Sequence, residues 1–191
     1  TNAEGQSAES LGDDVAYRPL FRPGAGERVA ILVVSSDRGL CGAYNSMLFR
    51  RLEHWLGENP GVAADYWVVG RKGYQYLQRR GRPVERFLVE PPLEKMDYRG
   101  AARTARYLVD AFQSGKYSKV LVFYTAFESV VKYVPSEVQF LPVAQAPAAG
   151  GEAAATDALL EPDAATIFDR IVPRYLETRI YNALLESLTS E

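Results

Sequence analysis

Segment 35–42, Ser-Ser-Asp-Arg-Gly-Leu-Cys-Gly, gathers several residue types that do chemistry in proteins. It follows an apolar run typical of a buried strand, and the carboxyl ends of such strands commonly bind ligands in open α/β sheets. Free backbone N–H groups at such a point can hold a phosphate. The segment contains neither G-x-G-x-x-G nor G-x-x-x-x-G-K-[ST], however, and the carboxylate of Asp37 would repel an anion.

Two interpretations of this turn stay open. In the structural one, Asp37 caps the following helix and Arg38 pairs with an acid, while Gly39 and Gly42 permit a tight turn with a positive φ at Gly39. In the other, the turn Asp37–Gly42 makes the chain a small Rossmann-like module that binds a nucleotide or a phosphate. The spacing alone favours the structural interpretation.

The single cysteine and the single histidine do not form a catalytic pair. Cys41 and His54 lie on one predicted helix, ~20 Å apart at 1.5 Å per residue, which is too far for a thiolate–imidazole dyad. One cysteine excludes an intramolecular disulfide, and the acidic residues lack metal-ligand spacing. The turn 70–73 (GRKG) suits a phosphate site and a solvated helix start equally well. We predict no catalytic, cofactor-binding or metal-ligating residue.

The elements that position the 35–42 turn alternate between strand and helix. The chain has 191 residues, of which 47% are hydrophobic and 24% charged, with a net charge of −2. These values indicate one folded domain and give no basic surplus for nucleic acid. The patterns predict strands at 28–36, 65–69, 83–89 and 119–124, and helices at 40–56, 73–80 and 100–113. This order predicts a Rossmann-like, three-layer α/β domain over 28–143 with a mainly parallel sheet.

The pattern changes after the fourth strand. Residues 127–143 predict an antiparallel edge strand, with Pro135 at a bulge or at the edge itself. Residues 144–162 are rich in Ala, Gly and Pro and predict a mobile loop, as the polar segment 1–27 predicts a flexible N-terminus. Residues 163–191 return to a helical period, which Pro173 should kink or restart.

An apolar stripe follows one face of this last helix. It consists of Leu176, Ile180, Leu184 and Leu188, and such a stripe needs a covering surface. Leu188 lies ~18 Å beyond Leu176, so we expect the globular domain to cover only the first part. The distal half should then fray or drive self-association.

Three blocks of the sequence resemble the gamma subunit of the F-type ATP synthase. They are "ILVVSSDRGLCGAYNSMLFRRL" (31–52), "VLVFYTAFESVVKYVPSEVQFLPV" (120–143) and "IFDRIVPRYLETRIYNALLESLTSE" (167–191). The resemblance implies the globular domain of that family followed by the start of its C-terminal coiled-coil helix. The N-terminal shaft helix of the family is missing, so the sequence is expected to be a piece of a longer chain.

The resemblance also implies a function. Members of the family are non-catalytic rotor subunits that transmit rotation between a membrane ring and the catalytic subunits. The implied partners are the alpha/beta ring, an epsilon-type subunit and the c-ring, without nucleic acid, cofactor or direct membrane insertion. The implied location is peripheral, on the cytoplasmic face of a bacterial inner membrane or an organelle counterpart. We expect the turn at Asp37, Arg38, Gly39 and Gly42, and the edge strand 131–140, to contact a partner.

Overall fold

A five-stranded sheet with the strand order β3-β2-β1-β4-β5 organises the computed structural model of the chain. The structure describes residues 18–38, 43–129, 131–144 and 164–189. The strands are β1 (Arg28–Val34), β2 (Ala64–Val69), β3 (Val84–Leu88), β4 (Tyr117–Ser129) and β5 (Lys132–Leu141). The helices are α1 (Tyr44–Glu58), α2 (Arg71–Arg79), α3 (Tyr98–Gln113) and α4 (Ala164–Thr189).

The central strand β1 is buried on both faces, as its β-branched run predicts. It pairs in parallel with β2 and β4, while β5 runs antiparallel to β4 and closes one edge. Because side chains alternate along a strand, Val29, Ile31 and Val33 pack under α1 and α2. Ala30 and Leu32 face the other side, towards α3 and α4. The predicted three-layer α/β architecture with an antiparallel edge strand is therefore confirmed.

Some element boundaries differ from the sequence-based expectation. Helix α1 continues through Gly57 to Glu58, whereas the pattern predicted that Gly57 ends it. Strand β4 begins at Tyr117 and reaches Ser129, because its outer half pairs with β5 beyond the end of β1. Helix α4 passes through Pro173 as one helix of 26 residues instead of restarting there. Pro173 removes one hydrogen bond from the interior of α4, and the burial of the helix against the domain offsets this loss.

The segment before β1 is packed where the sequence predicted flexibility over 1–27. A 3₁₀ turn at Arg18–Phe21 places Leu20 in the core with no exposed surface. The N–H of Val143 donates to the carbonyl of Leu20 at 2.6 Å, and the N–H of Gly24 donates to the carbonyl of Ser118 at 2.9 Å. The expectation is wrong for 18–27 because short polar segments can still carry one buried anchor residue. Residues 1–17 and 145–163, with most of the predicted loop, lie outside the described residues.

Candidate functional site

Asp37 caps a helix, but a different one from the helix that the sequence suggested. Its Oδ1 accepts a hydrogen bond of 2.9 Å from the N–H of Arg71, at the first residue of α2. The N–H of Lys72 also donates to the carbonyl of Ser36 at 3.1 Å. Ala43, which precedes α1, has no side chain that could cap that helix. The turn after β1 therefore stabilises the amino end of the helix after β2, where a carboxylate interacts favourably with the helix dipole.

Ser35, at the end of β1, connects this turn from the core side to the end of β2 and the start of α2. It is fully buried, and its hydroxyl donates to the carbonyl of Val69 at 3.0 Å while accepting from the N–H of Gly73 at 2.8 Å. Gly70 has a φ of 95°, and a Cβ built there would lie 2.0 Å from the carbonyl oxygen of Ser35. Only glycine fits at this position, because both the backbone conformation and the close approach exclude a side chain.

Ser36 and Asn45 connect the turn to α1. The N–H of Ser36 donates to Oδ1 of Asn45 at 3.1 Å, and Nδ2 of Asn45 donates to the Ser36 hydroxyl at 2.6 Å. These two bonds close a small ring between the end of β1 and the first turn of α1. The polar side chains of the turn thus hold β1, α1 and α2 together, which supports the structural interpretation of the turn.

Arg38 forms an ion pair, as the structural interpretation predicted. Its guanidinium lies 2.9 Å from Glu94, in the connection between β3 and α3, and the two side chains are 76% and 47% exposed. Exposed pairs of this kind stabilise by about 0–1 kcal/mol. The remaining residues of the turn, Gly39 and Gly42 among them, lie outside the described residues, so the positive φ expected at Gly39 stays a prediction.

The described residues of the turn, 35–38, show no paired acid and base for proton transfer. The carboxylate of Asp37 accepts a hydrogen bond from a backbone N–H, and the imidazole of His54 lies on the exposed side of α1, 3.0 Å from Glu58. In the described part of the chain no three His, Cys, Asp or Glu side chains come together to hold a metal ion. No helix within that part is both long enough and apolar enough to cross a membrane.

Sequence reasoning missed a buried ion pair at the opposite end of the sheet. Asp65, 2% exposed, accepts from Arg28 at 2.9 and 2.5 Å and from the hydroxyl of Tyr117 at 2.8 Å. Hydrogen bonding from Arg28 lowers the pKa of Asp65 against the opposing effect of burial. Burial and the same carboxylate raise the pKa of Tyr117. The cluster ties together the first residues of three strands, so it stabilises the sheet.

A second polar cluster connects α1 to α2 and the turn before β3. Glu53 accepts hydrogen bonds from the hydroxyl of Tyr76 and, at 2.9 Å, from Arg82. These bonds lower the pKa of Glu53 although burial opposes them, and burial together with Glu53 raises the pKa of Tyr76 to about 12. The ring of Tyr76 stacks on Phe49 with ring centres 4.1 Å apart. Aromatic and charged residues alternate in the sequence here, and nothing in that alternation indicates which of them contact one another.

The apolar stripe of α4 packs on the globular domain. Leu176, Ile180 and Leu184 are each 1% exposed, and Leu188 is half-buried beside them against the core that includes α3 and β4. The expectation that the distal half lacks cover is therefore wrong. It assumed that the helix leaves the domain near Leu176, whereas α4 runs along the long strand β4 as far as Ser187, whose hydroxyl accepts from the N–H of Thr125 at 3.3 Å. Because these side chains face the domain, the coiled-coil seam predicted for the stripe is not the contact that it makes in this structure.

Polar contacts hold α4 on both sides of the stripe. The hydroxyl of Tyr98 on α3 donates to Glu177 at 3.1 Å. On the other side, Arg179 donates to the carbonyls of Gln139 and Phe140 on β5, at 3.1 and 3.4 Å. The outward side of the helix carries Ile171 and Tyr175, which are 57% and 45% exposed.

Comparison with known proteins places the chain in a family. A family model described as ATP synthase matches residues 4–191. The ATP synthase gamma chain of Micrococcus luteus is 37% identical over 97% of this chain and 65% of its own length. That of Sorangium cellulosum is 32% identical over 99% of this chain and 62% of its own length. The chain thus spans less than two thirds of the length of these relatives.

Solved structures give the same fold. The central stalk and c-ring structure of the Tetrahymena thermophila mitochondrial ATP synthase contains a chain that matches with a TM-score of 0.61 and 21% identity, over 97% of this chain and 81% of that one. A chain of the Euglena gracilis mitochondrial ATP synthase matches with a TM-score of 0.59 and 14% identity, over 100% and 61%. At these identities the likeness shows the fold alone. Together with the sequence comparisons, these findings mean that the chain belongs to the ATP synthase family represented by the gamma chains.

Proposed function

We propose that this chain is the non-catalytic rotor part of an F-type ATP synthase and transmits rotation between the membrane ring and the catalytic subunits. Rotation would couple proton flow to ATP synthesis. Its partners would be the alpha/beta ring, an epsilon-type subunit and the c-ring. The similarity to gamma chains supports this proposal. So do the structural relatives, which are a central stalk with its c-ring from Tetrahymena and a rotor and an F1/c-ring assembly from Euglena.

The observation that carries the proposal is the attachment of α4. A helix that transmits torque to a domain must neither slide nor roll on it. The inward stripe fixes α4 by burial, and the contacts Tyr98–Glu177 and Arg179–Phe140 hold its two flanks. The outward side chains Ile171 and Tyr175 remain exposed, which leaves room for a second helix of a shaft.

The proposal is tested in an assembled enzyme. Residues 1–191 replace the matching part of the Micrococcus luteus gamma chain, and the chimeric enzyme is assayed in inverted membrane vesicles for ATP hydrolysis and ATP-driven proton uptake. We expect both activities. In Leu184→Asp, a buried charge loosens α4, so proton uptake falls much more than hydrolysis.

Two further variants separate coupling from assembly. Asn182→Asp, on the exposed side of the same helix, is the matched control and should pump like the parent chimera. Leu184→Ala covers the case in which the aspartate variant fails to assemble, and it should show a partial loss of proton uptake per ATP. A parent chimera that assembles and hydrolyses ATP without moving protons contradicts the proposal.

The alternative of a nucleotide- or phosphate-binding module at Asp37–Gly42 is less well supported. The carboxylate of Asp37 occupies the amino end of α2, which is where an anion would otherwise bind. We therefore expect calorimetry of the chain with ATP and Mg²⁺ to give no tight binding. Sub-micromolar affinity would favour the alternative. In the rotor proposal, Asp37 and Arg38, with Gly39 and Gly42, shape this turn for contact with a partner subunit.

The proposal includes a location. The chain would lie peripherally on the cytoplasmic face of a bacterial inner membrane, held by the complex and not inserted in the bilayer. In inverted vesicles, an alkaline carbonate wash that strips peripheral proteins should release the chain. Retention with the bilayer after such a wash would contradict the peripheral location.

A further inference from the structure

The outer edge of β3 is an open sheet edge. Within the described residues, β3 pairs only with β2, and no backbone hydrogen bond reaches its other side. The opposite edge of the sheet is protected, because Pro135 has no N–H to donate and Arg179 occupies the carbonyls of Gln139 and Phe140. Unpaired strand edges accept a further strand unless such devices block them.

A groove of about 200 Å³ runs between β3 and α3 beside this edge. Its apolar lining includes Leu88, Val89 and Met96, and Val89 is 53% exposed. A strand added to β3 would cover this apolar surface with every second side chain.

The groove is also basic. The guanidinium of Arg86 lies 4.0 Å from the ring centre of Tyr107, and Arg103 lines the groove from the exposed side of α3. Neither arginine has a carboxylate within ion-pair distance in the described part of the chain. Arg99 lies one helical turn before Arg103 on the same exposed face. Glu90 is the acidic residue among those that line the groove.

We propose that the outer edge of β3 binds an extended, acidic segment of another protein chain, which adds to the sheet as a sixth strand. The backbone of the segment pairs with β3, and its acidic side chains point towards Arg86 and Arg103. A peptide is the occupant that fits, because the regular N–H and C=O groups of a strand edge are matched by another peptide backbone. The proposal is independent of the rotor function.

Hydrogen exchange of the 191-residue chain, followed residue by residue by NMR, tests the proposal. The probe is acetyl-(Glu-Val)₃-amide, with acetyl-(Lys-Val)₃-amide as the charge-reversed control. At a millimolar concentration of the glutamate peptide, we expect the amide hydrogens of Val84–Leu88 to exchange more slowly. Those of Lys132–Leu141 should exchange as they do without the peptide. The lysine peptide should leave both strands unchanged.

Charge-reversal variants test the role of the groove. Arg103→Glu should weaken binding of the glutamate peptide up to about five-fold, since an exposed ion pair stabilises by up to about 1 kcal/mol. Arg50→Glu, on the exposed side of α1, should leave binding unchanged. No protection of β3 at millimolar peptide, equal protection by both peptides, or equal binding to Arg103→Glu would each overturn the proposal.

Discussion

Replacing Asp65 by Asn tests the structural role of the buried ion pair. The carboxylate accepts two hydrogen bonds from Arg28 and one from Tyr117, and Lys116 lies 3.9 Å away. Asn keeps the shape of the side chain but removes the charge and turns one acceptor into a donor. Breaking a fully buried pair costs about 3–5 kcal/mol, whereas exposed pairs are worth about 1 kcal/mol or less.

The geometry places the expected loss between these limits. Asp65 is buried, but the side chain of Arg28 is 37% exposed and stays partly hydrated when it loses its partner. We therefore expect Asp65→Asn to lower the free energy of unfolding by about 2–3 kcal/mol, mostly from charge-assisted hydrogen bonds. Stabilities of 5–15 kcal/mol are usual, so the variant should still fold.

Urea unfolding followed by tryptophan fluorescence measures the loss, since Trp55 and Trp67 are both buried. The pH dependence supplies an independent check. The pKa of Asp65 is lowered by folding, so its stabilisation is complete above the unfolded value of about 4 and disappears as pH falls through the folded pKa. The difference between wild type and variant should be constant from neutral pH to about pH 5 and shrink in more acidic solution.

Asp110→Asn, on the exposed side of α3, is the matched control, and it should change the free energy of unfolding by less than about 0.5 kcal/mol. A loss at Asp65 no greater than at Asp110 would refute the reasoning. So would a loss that stays equally large in strongly acidic solution, since it could not arise from the charge.

Five further substitutions, two of them matched controls, test the turn and the last helix, each by urea unfolding. Leu184→Ala should cost about 2–5 kcal/mol because it leaves a cavity under α4, and Leu188→Ala, at a half-buried position, should cost clearly less. Gly70→Ala should cost more than about 3 kcal/mol because its Cβ meets a backbone oxygen at 2.0 Å. Gly61→Ala, with a φ of 86° and open space around it, should cost only about 1–2 kcal/mol. Asp37→Ala should lower the free energy of unfolding by about 1 kcal/mol, because α2 loses its cap. Equal losses for the two leucine variants, equal losses for the two glycine variants, or an Asp37→Ala variant as stable as the parent would contradict these assignments.

The sheet could be predicted from the sequence because its signal is local. A run such as Val29–Val34 is buried on both faces wherever it lies in a parallel sheet, and alternation with helices then determines the layers. The antiparallel edge was predictable for the same reason, since 127–143 alternates without an intervening helix.

The site was less predictable because its contacts join residues distant in sequence. The type of Asp37 indicated a helix cap, but its partner Arg71 belongs to another strand–helix unit and is determined by the pairing of β1 with β2. The ion-pair partners Arg28 and Asp65 are likewise set by strand register. A stripe at helical spacing shows that Leu184 needs cover, but the pattern does not identify the surface that covers it.

The packing of α4 also bears on whether the domain turns with its helix. Each helical residue advances by 100°, so Glu177 and Arg179 lie on opposite sides of the line through Leu176 and Ile180. Rolling the helix in either direction therefore breaks a polar contact, with Tyr98 on one side and with β5 on the other. Sliding along the axis would lift Leu184 out of its buried position. A loosely tethered binding domain needs none of these restraints, whereas a domain that carries torque needs all of them.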